Sequence, residues 1–186
     1  MASRWRNRLW FLWHRTDKTV LGCVLATGLT VVALGVALSA AFADRDRSRA
    51  LLRETHENNL DCLARNVYFE ARGEPLAGQY AVAEVTLNRR GTAGFPRTLC
   101  EVVYQKTWDP LRRRYVGAFS WTEFEGLPDP AGEPWDTAVE VAEAAYYRRH
   151  APVLKGALYF HATYIQPEWA PQKQRLARIG GHVFYR

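Results

Sequence analysis

The hydrophobic pattern changes character near residue 43. Residues 19–43 carry no charged side chain and are dominated by Val, Leu and Ala. As a helix, roughly 25 residues are enough to cross about 30 Å of hydrocarbon. Residues 44–58 are heavily charged around a short apolar patch, Ala50-Leu51-Leu52, and read as a juxtamembrane helix or spacer. From residue 59 the spacing becomes helical. Leu60, Leu63, Ala64, Val67 and Ala71 recur three and four apart, which predicts a core-facing helix over about 59–74. Asn58 or Asn59 is its expected N-cap, and Gly73 and Pro75 end it. A second helix is predicted over 76–90 around Tyr80, Ala81, Val85 and Leu87, and a short one over 97–105 around Leu99, Val102 and Val103. Pro134 opens another, to about Arg149, with Trp135, Ala138, Val139, Ala142, Ala145 and Tyr146 facing inward. Residues 106–133 are turn-rich and read as an irregular stretch, of a length that often carries function. Residues 156–165 and 179–185 are rich in strand formers and predict an antiparallel pair, joined by a loop with Pro167, Trp169 and Pro171. The fold class is α+β, mainly helical, with a small antiparallel sheet near the C-terminus and one transmembrane helix in front.

Charge sharpens this division. The net charge is +6, but residues 1–18 hold Arg4, Arg6, Arg8, Arg15 and Lys18 against Asp17, a balance of +4. The remainder carries +2, too little for the electrostatic footprint of a nucleic-acid binder. Arg112-Arg113-Arg114 is its dense basic cluster and reads as a solvated loop face. The basic leader places residues 1–18 in the cytoplasm as a tail, 19–43 in the inner membrane as an anchor, 44–58 outside as a spacer and 59–186 as the exported domain. Arg45, Arg47 and Arg49 blur that asymmetry. A cleavable signal peptide ending at Ala41-Phe42-Ala43 is the rival reading; the apolar run exceeds the usual signal core, which favours a single-pass anchor.

Of the three cysteines, Cys23 falls in the apolar run, while Cys62 and Cys100 belong to the exported domain, where oxidation is permitted. They form either a bridge or two buried thiols. No Cys-x-x-Cys pair or His-rich run points to a metal, and no cofactor is expected.

The candidate chemistry centres on NVYFEARGEPLAGQ, residues 66–79. Glu70 lies on the flank of the apolar stripe, near the negative end of a helix. Poor solvation and the helix dipole both favour its protonated form, which is what breaking a glycosidic bond needs. The plainer reading is a surface glutamate paired with Arg65 or Arg72. Glu74, four residues on, is either a second site carboxylate or a helper at the start of the next helix. Glu84 and Asn88 sit one turn apart, facing either a cleft or solvent. His161 and His182 fall on the two predicted strands without metal-ligand spacing and suit hydrogen bonds in a cleft wall or core. Trp121 and Trp169, in loops, suit either sugar stacking or packing; Tyr164 belongs to the same aromatic-rich end. Gly180-Gly181 permits a bulge or close backbone approach.

The segment NVYFEARGEPLAGQYAVAEVTLN (66–88) strongly resembles the catalytic domain of SleB/CwlJ-type cell wall hydrolases, which include spore cortex-lytic enzymes. The likeness continues through FPRTLCEVVYQ (95–105), FSW (119–121), GALYFHATYIQPEWA (156–170) and IGGHVFYR (179–186). The resemblance implies a lysozyme-like fold acting on peptidoglycan glycan strands, with Glu70 as general acid. Many relatives carry Cys-Gln before FSW, where this chain has Gly117-Ala118. The expected activity is cleavage of the β-1,4 bond between N-acetylmuramic acid and N-acetylglucosamine, as a lytic transglycosylase. Glu74, Asn88, Trp121, His161, Tyr164, Trp169 and His182 are expected to bind the substrate. Three other readings stay open: a hydrolytic muramidase, a metal-dependent amidase using His161 and His182, and a non-catalytic peptidoglycan-binding protein.

Overall fold

The computed structural model describes residues 10, 17–110 and 112–186 of the chain. The expected cytoplasmic tail therefore lies almost wholly outside the described residues. The chain divides into two compact units, Met1–Arg53 and Glu54–Arg186.

Helix α1 runs over Lys18–Ala71. Its apolar part is long and apolar enough to cross a membrane, and its side chains are exposed. The expected break and N-cap near residue 59 do not form. The charged spacer contains neither Gly nor Pro, so nothing interrupts the helix. Asn59 serves a different purpose: its buried Oδ1 accepts the Leu99 N–H at 2.9 Å. The helix ends at Ala71, one turn before Glu74.

In the second unit, α2 (Leu76–Arg89) is the central element. Ala83 faces a core built with Leu63, Ala64 and Val67 of α1, Leu99 of α3 (Leu99–Val103), and Ala138, Val141 and Ala142 of α4 (Glu133–Tyr146). Ala81, Val82 and Val85 face a second core with Ala71, Leu154, Ala157 and Phe184. Burying side chains such as Leu63 and Phe184 contributes roughly 1.5–3 kcal/mol each. Helix α3 is short and holds its start by a capping box, in which Thr98 and Glu101 satisfy each other's backbone N–H. Helix α4 opens on Gly132 with Pro134 in its first turn.

Two small sheets complete the unit. Within the stretch 106–133, expected to be irregular, β1 (Lys106–Asp109) and β2 (Arg114–Gly117) pair as antiparallel strands of a hairpin. Trp108 opposes Tyr115 in it, edge to face at 5.3 Å. The hairpin is tied to the next turn by Glu123, which accepts from Gly117 N–H at 2.8 Å and from Arg114 at 2.7 Å. The second sheet has three strands where two were expected, in the order β3 (Tyr159–Ala162), β5 (His182–Tyr185), β4 (Arg175–Ile179). All pairs are antiparallel. Gly180-Gly181 is the β4–β5 turn, and the ladder irregularity lies earlier, between Arg175 and Ala177. Phe160 and Phe184 pack with the helices, whereas Val183 and Tyr185 of the opposite face pack with Tyr159, Trp169 and Ala170.

Candidate active site

Glu70 sits in the last turn of α1, half-buried. Loss of water around the carboxyl lifts its pKa to about 7; the Arg89 cation and the Ser120 backbone N–H pull the other way. The arginines that a surface glutamate would pair with are occupied. Arg65 bonds Asp61 at 2.9 Å, and Arg72 lies over the Tyr68 ring.

The wall beside Glu70 is aromatic and held by a buried polar relay. Phe69 stacks on Trp121 with centroids 4.6 Å apart. The Trp121 indole N–H donates to Asn66 Oδ1 at 2.9 Å, and Asn66 Nδ2 donates to Thr86 Oγ1 at 2.9 Å. Asn66 and Thr86 are fully buried, so each bond removed would leave an unpaired polar group in the core. This relay fixes the Ser120–Glu123 turn, whose first N–H meets Glu70.

Arg89 is buried at the C-terminal end of α2. Its Nε donates to Leu158 O at 2.8 Å, and its guanidinium lies 4.9 Å from the Phe119 ring centroid and 5.4 Å from that of Phe95. Burial pulls its pKa down to about 10, with Tyr159 and Glu70 opposing, so it stays a cation at neutral pH. A positive charge there steadies Glu70 after proton loss. The sequence gives no sign of this role, because the partners lie far away along the chain. Ser120 lies within the FSW motif, but its side chain gives no sign of the role, since it acts through its backbone.

The other expected site residues fall in separate places. Glu74 turns its carboxylate to the β4–β5 turn: Oε2 accepts Gly181 N–H at 2.8 Å, and Oε1 lies 3.5 Å from His182 Nδ1. It does not cap α2, whose N-terminus has no side-chain cap. Gly180 has φ 56°, and a Cβ on it would overlap Glu74 Oε2 and lie 2.9 Å from Pro75 Cδ. Burial lowers the His182 pKa, partly offset by Glu74. Asn88 donates to Ala157 O at 3.0 Å, and Glu84 accepts from Val153 and Leu154 N–H at 2.6 and 2.7 Å. Both therefore brace the loop leading to β3. Trp169 packs against Tyr159, His161 and Tyr185. Tyr164, 88% exposed, and His161 line a cleft of about 640 Å³ that Glu70 does not border. His161 opposes Val183, and His182 opposes Ala162. Alternation along the strands therefore sends the two imidazoles to opposite faces of the sheet. Cys62 and Cys100 are joined in a disulfide, packed with Val103 and Phe119.

Solved structures share this fold, and curated sequences resemble the chain. The chain matches the catalytic domain of the germination-specific lytic transglycosylase SleB from Bacillus anthracis with a TM-score of 0.54 and 29% identity, over 69% of this chain and 94% of that one. The catalytic domain of the Bacillus cereus SleB protein matches with the same TM-score and identity, over 70% and 91%. Among curated relatives, the spore cortex-lytic enzyme of Oceanobacillus iheyensis is 49% identical over 132 residues, covering 69% of this chain and 41% of that protein. That of Bacillus subtilis is 31% identical over 129 residues, covering 68% and 37%. The chain thus spans less than half the length of the curated relatives it matches. The family model described as Cell Wall Hydrolase matches residues 73–185, beginning three residues after Glu70. That match covers more than half of the chain, and the protein belongs to the cell wall hydrolase family.

Proposed function

We propose that this protein cleaves peptidoglycan glycan strands at the β-1,4 bond between N-acetylmuramic acid and N-acetylglucosamine, as a lytic transglycosylase with Glu70 as its acid. The observation that carries the reading is Glu70 itself: a half-buried carboxyl with a pKa near 7, beside the Phe69–Trp121 wall. At neutral pH a large share of it is protonated. It donates to the leaving O4 as the C1–O4 bond breaks and positive charge builds at C1. The resulting carboxylate, steadied by Arg89 and the Ser120 N–H, then accepts the proton of the muramyl C6 hydroxyl as O6 bonds to C1. The product carries a 1,6-anhydro ring, and Glu70 is protonated again. No second carboxylate is required, and Glu74 is already engaged by Gly181. The Bacillus anthracis relative, described as a lytic transglycosylase, supports the same chemistry.

Analysis of products from purified peptidoglycan tests the reaction. Anhydromuramyl ends, which borohydride does not reduce, are the expected result. Reducible muramic acid ends would move the protein to the hydrolytic muramidases, and release of peptides from intact glycan would make it an amidase.

In this reading residues 19–43 anchor the protein in the inner membrane and hold residues 59–186 in the periplasm or cell wall space. The support is the length and composition of the apolar part of α1. Protein isolated from membranes should retain its N-terminus and resist extraction by high salt. A soluble mature chain beginning at Asp44 would instead identify a cleaved signal peptide.

A further inference from the structure

The face of the three-stranded sheet that carries Val183 and Tyr185 opens into the cleft of about 640 Å³ that Glu70 does not border. Its floor is polar and fixed. His161 Nδ1 lies 2.9 Å from Ala162 O, and its Nε2 lies 2.9 Å from the Tyr185 hydroxyl. With Nδ1–H donating to that carbonyl, Nε2 accepts from Tyr185, whose oxygen keeps a lone pair for an incoming donor.

The rim is cationic. Lys173, Arg175 and Arg178 all line the cleft, and no residue lining it is acidic. Among the described residues none of the three pairs with a carboxylate. Three cations around a concavity repel one another and focus a positive field into it. A bound anion removes that cost.

We propose that this cleft binds the acidic peptide stems of peptidoglycan, apart from the site at Glu70. The proposal rests on the reading of peptidoglycan as the substrate. A stem fits on three counts. Its carboxylates suit the arginine forks, which bind such groups through paired hydrogen bonds. Its amide N–H groups suit the Tyr185 oxygen. Its short aliphatic side chains suit the exposed Tyr164 ring. Two contact regions would let the protein distinguish strands that bear stems from bare glycan.

Calorimetric titration of the full-length protein in detergent micelles with a synthetic stem tetrapeptide tests this. Wild-type protein should bind the peptide. Lys173→Gln/Arg175→Gln/Arg178→Gln should weaken binding by about tenfold or more, the effect of losing charged hydrogen bonds. The single variant Arg178→Gln, at an exposed position, should show a smaller loss in the same direction. Inorganic phosphate at equal concentration should leave peptide binding intact. No binding by wild-type protein, equal binding by the triple variant, or displacement by phosphate would each overturn the proposal, the last assigning the cleft to phosphate groups. Peptide binding does not involve Glu70, so it is read independently of the glycan products.

Discussion

Glu70→Gln is expected to lower glycan cleavage by about 10²–10⁴-fold, the usual worth of general acid catalysis, in a protein that still folds. Glutamine nearly matches the shape of the carboxyl but has no proton to give. The same substitution carries a pH signature. In wild-type protein, activity should fall as pH rises through about 7, because the proposed first step consumes protonated Glu70. Stability follows the same group. A carboxyl whose folded pKa is raised from 4.5 to about 7 favours the fold fully below its unfolded pKa, and that contribution is lost as pH rises through the folded value. The neutral glutamine loses nothing over this range. Glu70→Gln should therefore match wild-type stability near pH 4 and exceed it near pH 8. The gain is on the order of 1–3 kcal/mol, discounted for partial solvent access. Denaturant unfolding at both pH values checks this. Full activity in the variant would remove Glu70 from the mechanism. A stability difference that ignores pH would mean that burial does not hold its proton.

Reduction of the Cys62–Cys100 bridge, or Cys62→Ser with Cys100→Ser, should cost about 3–4 kcal/mol. The bridge closes a loop of 38 residues, and loop-closure entropy sets that scale. In a domain of this size the loss lowers Tm by roughly 10–20 °C. The bridge ties α1 to α3 and packs beside Phe119, so the Ser120 turn should loosen with it. Thermal unfolding with and without reductant measures the effect. Native protein should offer neither Cys62 nor Cys100 to an alkylating agent; their modification without reductant would refute the bridge.

Much of the scaffold was legible because it obeys local rules. α2, α3 and α4 show apolar residues at helical spacing, and Pro75 and Pro134 mark two of their starts. Glu70 stood out because its surroundings are local too: the stripe of its own helix and that helix's end. Three features escaped for physical reasons. β4 holds Arg175, Leu176, Ala177, Arg178 and Ile179, and its irregular ladder breaks the alternation that marks a strand. The β1–β2 hairpin has mostly exposed, charged strands, so no buried face writes itself into the sequence. Arg89, Asn66 and Ser120 matter through partners 69, 55 and 50 residues away, and no local pattern reports such distances. The expected N-cap at Asn59 failed differently. Asparagine favours a cap, but a charged run of good helix formers carries the helix through that position.

The bond from Glu74 to Gly181 spans 107 positions of chain and closes only four residues beyond Glu70. The end of the helix that carries Glu70 is thus pinned by the turn between the last two strands. Contacts of such long range are the last to be rewarded during folding, because the chain between them must first be ordered. A nascent or partly folded copy can hold its early helices together and still lack this pin. Glu70 is then set in place only when the final hairpin docks, so the proposed cleavage would switch on late in folding, after most of the chain has found its place.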